Sequence, residues 1–368
     1  MGNKTNIAFD SQIFRLQVYG GISRYIVELA RELALLETLS VNIIAPCHVN
    51  EYLKNAPDVP QSSVYLKTMR YGIRTRMDQF ACDALIALTR PDIVHATYYL
   101  RNKRPINAKH FVVTVHDMTH EKFPQSFPHD DETSSLKRAA VAAADHVICI
   151  SENTRLDVIK LLGVPRERTT VIHHGVPSRL FGNLPSGLGD KPFFLFVGQR
   201  GGYKNFEAVL HAYAASKTLQ RNFRLVAFGG KGFTDAEQRL MQRLEINQSA
   251  VVHLSGDDSV LSALYTHAIA FIYPSMYEGF GMPLLEAMAH GCPVLSSNAS
   301  SMPEVAADAA LYFDPLNTAE MSNLMEHIVE DTVLRSQLRK AGLERGDKFS
   351  WKKAAIETKA VYTELLAK

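Results

Sequence analysis

Two carboxylates, Glu278 and Glu286, flank a glycine-bearing loop in the run Tyr273-Pro274-Ser275-Met276-Tyr277-Glu278-Gly279-Phe280-Gly281-Met282-Pro283-Leu284-Leu285-Glu286. An apolar stretch ends near Pro274, Pro283 suits the first position of a helix, and Gly291 suits its end. Such a loop presents backbone N–H groups and a helix N-terminus, which favour phosphate. Two carboxylates are out of place around a bare phosphate, but a carboxylate accepts paired hydrogen bonds from a diol. A nucleotide sugar carries hydroxyls on both sides of a diphosphate and would satisfy the whole pattern. The plainer alternative is a loop charge at Glu278 and a helix-dipole charge at Glu286. Spacing alone leaves both open.

Three further constellations could carry chemistry. In Val197-Gly198-Gln199-Arg200-Gly201-Gly202-Tyr203-Lys204-Asn205-Phe206, Arg200 and Lys204 bracket two glycines, so both cations can converge on one anion; a basic, solvated turn is the alternative. GxGxxG is absent, which argues against a dinucleotide site. Gly20 and Gly21 join the first strand region to a helix and allow close approach of a ligand, or form a simple tight turn. His116 and His120 sit at i and i+4, but the preceding FVVTV (111–115) predicts strand then loop, so a helical metal pair is not expected. Asp130-Asp131-Glu132 and Asp257-Asp258 are acidic without an Asp-x-Asp motif, and no metal is expected.

The elements that must position these residues alternate. NIAFD (6–10), VNIIA (41–45), DIVHA (92–96), FVVTV (111–115) and HVICI (146–150) read as strands covered on both faces. Helical stretches lie between them at 22–36, 136–144 and 152–163, the last with Ser151 as N-cap and Gly163 as stop. The Gly-, Pro- and Ser-rich run 173–192 is the best linker. Strands resume at 193–198, 224–230, 251–256, 268–274 and 292–297, and the chain is helical from about 317. The pattern predicts an α/β chain of two Rossmann-like, doubly wound parallel-sheet domains facing a central cleft. Expected boundaries are 1–180, 181–345 and a C-terminal helix at 346–368 packing back on the first domain.

The chain has 368 residues, 40 Lys and Arg against 38 Asp and Glu, and a net charge of +2, which excludes a dedicated nucleic-acid binder. Four scattered cysteines without a CxxC pair, no signal segment and no long apolar run predict a cytoplasmic protein with reduced thiols. Basic stretches at Lys67–Arg76 and Arg101–Arg104, beside Tyr98 and Tyr99, are solvated surface or a peripheral contact with an anionic membrane face or lipid-linked acceptor.

The 273–291 segment resembles the Glu-x7-Glu signature of retaining glycosyltransferases of family 4, and HGCPVLSSNASSMPEVAADAALYFDP (290–315) continues the likeness. Within that family the chain is similar to mannosyl- and rhamnosyltransferases of bacterial surface-polysaccharide, O-antigen type. The resemblance implies a GT-B fold and retaining, metal-independent hexosyl transfer, with no cofactor, from a nucleotide sugar, GDP-linked favoured, to a glycan or lipid-linked glycan. It implies that Glu278 holds the donor sugar and Glu286 the ribose hydroxyls. The backbone of Phe280, Gly281 and Met282, with Pro283 beside it, would meet sugar and phosphate, and Arg200 and Lys204 would neutralise the diphosphate. His116 would lie under the sugar, and Gly20 and Gly21 would meet phosphate and acceptor. The base would sit near Leu254–Val260. Tyr203 stands where many relatives have a second Arg. A non-catalytic nucleotide-sugar-binding module, or another GT-B enzyme such as a sugar-nucleotide epimerase, are the alternatives.

Overall fold

The computed structural model describes residues 4–67, 70–100, 104–105, 107–176, 182–185, 188 and 191–368. The chain divides into two compact units: unit 1 is Met1–Gly175 with Ser350–Lys368, and unit 2 is Val176–Phe349.

Unit 1 is built on a seven-stranded parallel sheet of β1 (Thr5–Phe9), β2 (Leu39–His48), β3 (Gln61–Tyr65), β4 (Ile93–Ala96), β5 (His110–Val115), β6 (His146–Cys149) and β7 (Thr169–Val171). Its order is β3-β2-β1-β4-β5-β6-β7, with Ile7 in register with Val41 on one side and Ile93 on the other. β4 is buried throughout, as a central parallel strand covered on both faces must be. Helix Gly21–Ala34 turns Tyr25, Ile26, Leu29, Ala30 and Leu33 inward. Helix Trp351–Ala367 packs on it and buries Tyr362, whose hydroxyl hydrogen-bonds His95 Nδ1 at 2.6 Å. Gly175 makes this possible, because a Cβ there would lie 2.2 Å from the backbone N of Trp351.

Unit 2 repeats the scheme with a six-stranded sheet of β8 (Phe193–Val197), β9 (Arg224–Phe228), β10 (Val251–Leu254), β11 (Ala270–Tyr273), β12 (Val294–Ser297) and β13 (Ala310–Phe313). The order is β10-β9-β8-β11-β12-β13. Phe194, Phe196, Leu225, Ile272 and Leu295 from this sheet share a core with Phe206 and Tyr213 of helix Phe206–Ala215. In each sheet the order reverses beside the first strand, between β1 and β4 and between β8 and β11. Open parallel sheets bind ligands outside the C-terminal ends of strands at such a reversal.

Ser151 caps helix Glu152–Leu162 by accepting from Thr154 N–H, and Gly163 ends it at φ 70°, as the sequence predicts. All four cysteines are buried and none is joined in a disulfide. The proposed linker is only partly described, with 177–181, 186–187 and 189–190 lying outside the described residues.

Candidate functional site

At the reversal in unit 2, the loops after β8 and β11 are tied together. Met276 N–H donates to the Tyr203 carbonyl at 2.8 Å, and Asn205 Nδ2 donates to the carbonyls of Pro274 and Pro315 at 3.2 and 2.8 Å. Asn205 adopts φ 60°, a conformation in which asparagine is enriched. This clamp brings Lys204 Nζ to 2.7 Å from Glu278 Oε1, with the two side chains 20% and 12% exposed. Lys204 also lies 5.4 Å from the Tyr203 ring and 5.9 Å from the Tyr273 ring. Tyr273 is fully buried, and burial together with the Glu278 carboxylate holds its phenol far above the ordinary value.

The backbone beyond Glu278 is fixed from β12's side. Ser300 Oγ donates to the Glu278 carbonyl at 2.6 Å, and Ser301 Oγ reaches the carbonyls of Glu278 and Phe280 at 2.9 and 3.0 Å. Helix Met282–Ala289 then opens at Gly281 with no side-chain cap. Gly281 has φ 99°, a conformation L side chains rarely adopt, and a Cβ would press Leu284 Cδ1 at 3.1 Å. The result is a helix N-terminus carrying its partial positive charge beside Glu278. Pro283 has no N–H to add. One helical turn on, Glu286 Oε2 accepts from Tyr265 Oη at 3.3 Å; burial, then this carboxylate, raise the Tyr265 phenol well above its usual range.

Arg200 departs from the expected convergence with Lys204. Its Nε donates to Glu237 at 2.7 Å, and its terminal nitrogens donate to the carbonyls of Gly229, Lys231 and Gly232 at 3.1, 2.6 and 2.9 Å. Four of the five guanidinium donors are thus committed, three to the loop after β9 and one to Glu237 in the helix Asp235–Arg243 that follows it. Glu237 is held in turn by a capping box with Thr234, and the Thr-Asp-Ala-Glu run was the sequence signal for it. A hollow of about 870 Å³ lies on that side; its walls include Arg200 and Glu237 but neither Lys204 nor Glu278.

In unit 1 the corresponding strand ends carry a buried polar network. Asp10, fully buried after β1, accepts from Thr97 N–H at 3.0 Å, Thr97 Oγ1 at 2.8 Å and Gln12 Nε2 at 2.5 Å. His95 bridges Tyr362 and, through Nε2 at 2.7 Å, Thr114. His116 follows β5, is 6% exposed, donates its backbone N–H to Tyr99 Oη at 3.0 Å and meets the Tyr25 ring edge-on. Burial lowers its pKa to about 4, so it is a neutral imidazole at pH 7. His120 belongs to the separate short helix Thr119–Lys122 and stacks on Phe127, so the two histidines do not share a helix face. Gly20 is extended, and the space a Cβ would fill is taken by the side chain of Gln17, whose Oε1 accepts from Ser23 N–H at 3.3 Å.

Two of the remaining acidic candidates are local caps: Asp257 Oδ1 accepts from Ser259 and Val260 N–H, and Asp131 Oδ1 from Thr133 N–H. Among the described residues no group of three or more His, Cys, Asp or Glu side chains is placed to hold a metal ion. Of the basic stretches, residues 68–69 and 101–103 lie outside the described residues, and Arg104 pairs with Asp145 at 2.9 Å. Ser300, Ser301 and Tyr265 escaped the sequence reading; the Ser-Ser before Met302-Pro303, a helix-start pattern, was the available signal for the first two.

The profile of Glycosyltransferase Family 4 matches residues 19–179, and that of glycosyl transferases group 1 matches residues 185–345. The O-antigen chain mannosyltransferase B of Escherichia coli is 26% identical over 93% of this chain and 95% of its own length. The serotype-specific mannosyltransferase WbdA of Escherichia coli is 28% identical over 80% of this chain, which spans only 39% of that longer protein. Among solved structures, sucrose-phosphate synthase from Thermosynechococcus elongatus superposes with a TM-score of 0.76 at 21% identity, covering 99% of this chain and 100% of that one. Anabaena HepE in complex with UDP and glucose gives 0.73 at 16% identity over 98% and 100%. These likenesses and the two parallel-sheet units together make the chain a member of glycosyltransferase family 4, with the GT-B fold.

Proposed function

We propose that the chain transfers a hexose, mannose or rhamnose favoured, from a nucleotide-diphosphate sugar, GDP-linked favoured, to a hydroxyl of a glycan or lipid-linked glycan in surface-polysaccharide synthesis, retaining the anomeric configuration. The observation that carries this reading is the Lys204–Glu278 pair at 2.7 Å beside the uncapped helix start at Gly281. A diphosphate entering there draws Lys204 towards its oxygens and frees Glu278 to accept hydrogen bonds from sugar hydroxyls. As the bond to the anomeric carbon breaks, charge grows on the leaving diphosphate. Lys204 and the backbone amides of Phe280, Gly281 and Met282 oppose it, and no metal is required. A well-placed donor of this kind contributes roughly 3–4 kcal/mol.

The acceptor hydroxyl then attacks on the same face and passes its proton to the departing phosphate. Glu286 is assigned to ribose hydroxyls, Pro283 to the donor's surroundings, and His116 with Gly20 and Gly21 to the donor from unit 1, all on the family likeness. Arg200 enters as a positioning residue that ties the loop after β8 to the loop after β9 through three hydrogen bonds and to the following helix through a fourth. The mannose preference rests on the names of the relatives, and retention on the family.

The test is transfer in EDTA from GDP-mannose to a mannose-terminated oligosaccharide, with the new linkage read by proton NMR. An α linkage from the α-linked donor is expected. A β linkage would contradict retention. Nucleotide binding with no transfer to any acceptor would leave a binding module, and donor altered without acceptor would point to an epimerase.

A further inference from the structure

Unit 2 has a second hollow, of about 310 Å³, at the end of its sheet opposite the Lys204–Glu278 pair. Ala268, Ile269 and Pro293, the residues that lead into β11 and β12, form its floor. The loops of Lys204 and Glu278 leave the other ends of β8 and β11. At roughly 3.3 Å per residue, the four residues of β11 alone set about 13 Å between the two places.

One wall is helix Thr332–Gly346, which lines the hollow with Thr332, Arg335, Ser336 and Arg339. Intervals of three and four place them on a single side of the helix. Facing them are Thr266 and His267, at the end of helix Asp258–His267. The lining therefore offers three hydroxyls, two guanidiniums and an imidazole, and no carboxylate.

The cations are held in place without being neutralised. Arg335 Nη1 donates to the carbonyls of Ile328 and Val329, each at 2.6 Å, in the last turn of helix Thr318–Glu330. That leaves Nε and Nη2 for a ligand. Arg339 runs across Gly291, where φ is 64° and a Cβ would lie 3.2 Å from Arg339 Cγ. Among the described residues neither arginine forms an ion pair. Asp331, outside the lining, accepts from Leu334 N–H at 2.8 Å and caps its own helix. His267 Nδ1 donates to the Ala263 carbonyl at 2.8 Å, which leaves Nε2. Like charges at i and i+4 on a helix cost stability, and an anion bound between them removes that cost.

We propose that this hollow binds a phosphomonoester. Its dianion lies between Arg335 and Arg339, and the hydroxyls of Thr266, Thr332 and Ser336 donate to the remaining oxygens. Two arginines match the double charge of a phosphate, where a carboxylate would need one. The volume stands at the lower limit of small-molecule sites, which favours inorganic phosphate or a phosphorylated monosaccharide over a nucleotide sugar. The inference stands apart from the glycosyl-transfer reading.

The full chain is titrated in a calorimeter with inorganic phosphate and with glucose 6-phosphate at low salt. Saturable binding is expected, as tight in Lys204→Ala as in the parent. Arg339→Gln, at an exposed position, weakens it at least about tenfold by removing a charge-assisted contact. Ser336→Glu, also exposed, sets a carboxylate in the hollow and abolishes it, with thermal melts showing that both variants fold. Tighter binding of the sugar phosphate assigns the site to a phosphorylated monosaccharide, and equal binding assigns it to the phosphate group alone. Absence of saturable binding to the parent overturns the proposal, as does equal binding by Arg339→Gln, Ser336→Glu and the parent. Loss in Lys204→Ala alone gives the anion to the loops after β8 and β11 and also overturns it.

Discussion

The two units finish their central strands in the same way and furnish the strand ends differently. At the reversal in unit 1, Asp10, His95, Thr97 and Thr114 are 2% exposed or less and bond to one another or to the C-terminal helix. At the reversal in unit 2, Lys204 and Glu278 hold each other where water still reaches both. A buried network left with one member missing leaves an unpaired polar group, so it fixes geometry. A partly exposed ion pair contributes little stability, so its members can exchange partners when a ligand arrives. The same fold thus supplies a rigid frame in one unit and exchangeable charge in the other.

This contrast can be broken in several places. The largest effect should come from Lys204→Ala, which lowers transfer about 10²–10³-fold while stability moves by about 1 kcal/mol or less. Steady-state kinetics and urea unfolding of one preparation check both halves, and near-normal turnover would remove Lys204 from the mechanism. Acid should act next, and on unit 1. Burial holds His95 at about 3 and His116 at about 4, whereas both protonate near 6.5 when unfolded. The folded state then binds fewer protons below pH 6.5. Stability is unaffected by these groups above that pH and falls as the pH drops from 6.5 towards 4, by up to about 1.4 kcal/mol per pH unit for each histidine. Hydrogen exchange at pH 7 and pH 5 should show β1, β4 and β5 losing more protection than β8 and β11; equal losses would contradict the assignment.

Tyr362→Phe should cost about 1–3 kcal/mol in urea unfolding, since it strips His95 Nδ1 of its partner in a fully buried site. The smallest effect is expected from Gln17→Ala, about 0.5–1 kcal/mol, through loss of the side-chain cap on Ser23 N–H. A larger loss would mean that Gln17 supports more than the helix end.

How far the sequence could be read follows the same physical lines. Every strand found from apolar runs has neighbours or covering on both sides, except β10 at one edge. The three missed strands, β3, β7 and β13, are all edge strands, and β3 alternates half-buried with exposed positions along QSSVY. Edges lose the continuous apolar run that marks a strand covered on both faces. Helix Tyr71–Thr89 was legible only as a basic stretch, because its buried face holds Arg74 and Asp78 while Ile73, Met77, Phe80 and Leu88 are exposed. At the site, glycines and charges marked the loop of Lys204 and the loop of Glu278 and Gly281 separately; only the family likeness set them on one ligand, and local spacing could not show the ion pair that joins them. The same local spacing could not reveal that Arg200 turns to Glu237, a residue 37 positions away brought near by β9 and the following helix.

On the proposed function, the loops after β8 and β11 bind a nucleoside diphosphate through Lys204 and backbone amides. The most direct measurement is the thermal shift of the chain and of Lys204→Ala with GDP, UDP, ADP and dTDP in EDTA. A nucleotide at a hundredfold its dissociation constant adds about 2.7 kcal/mol of stability. We expect GDP to raise the melting temperature of the parent and to do so far less in Lys204→Ala. If no nucleotide shifts the parent, in EDTA or with Mg²⁺, the two-carboxylate loop is not a nucleotide-sugar site.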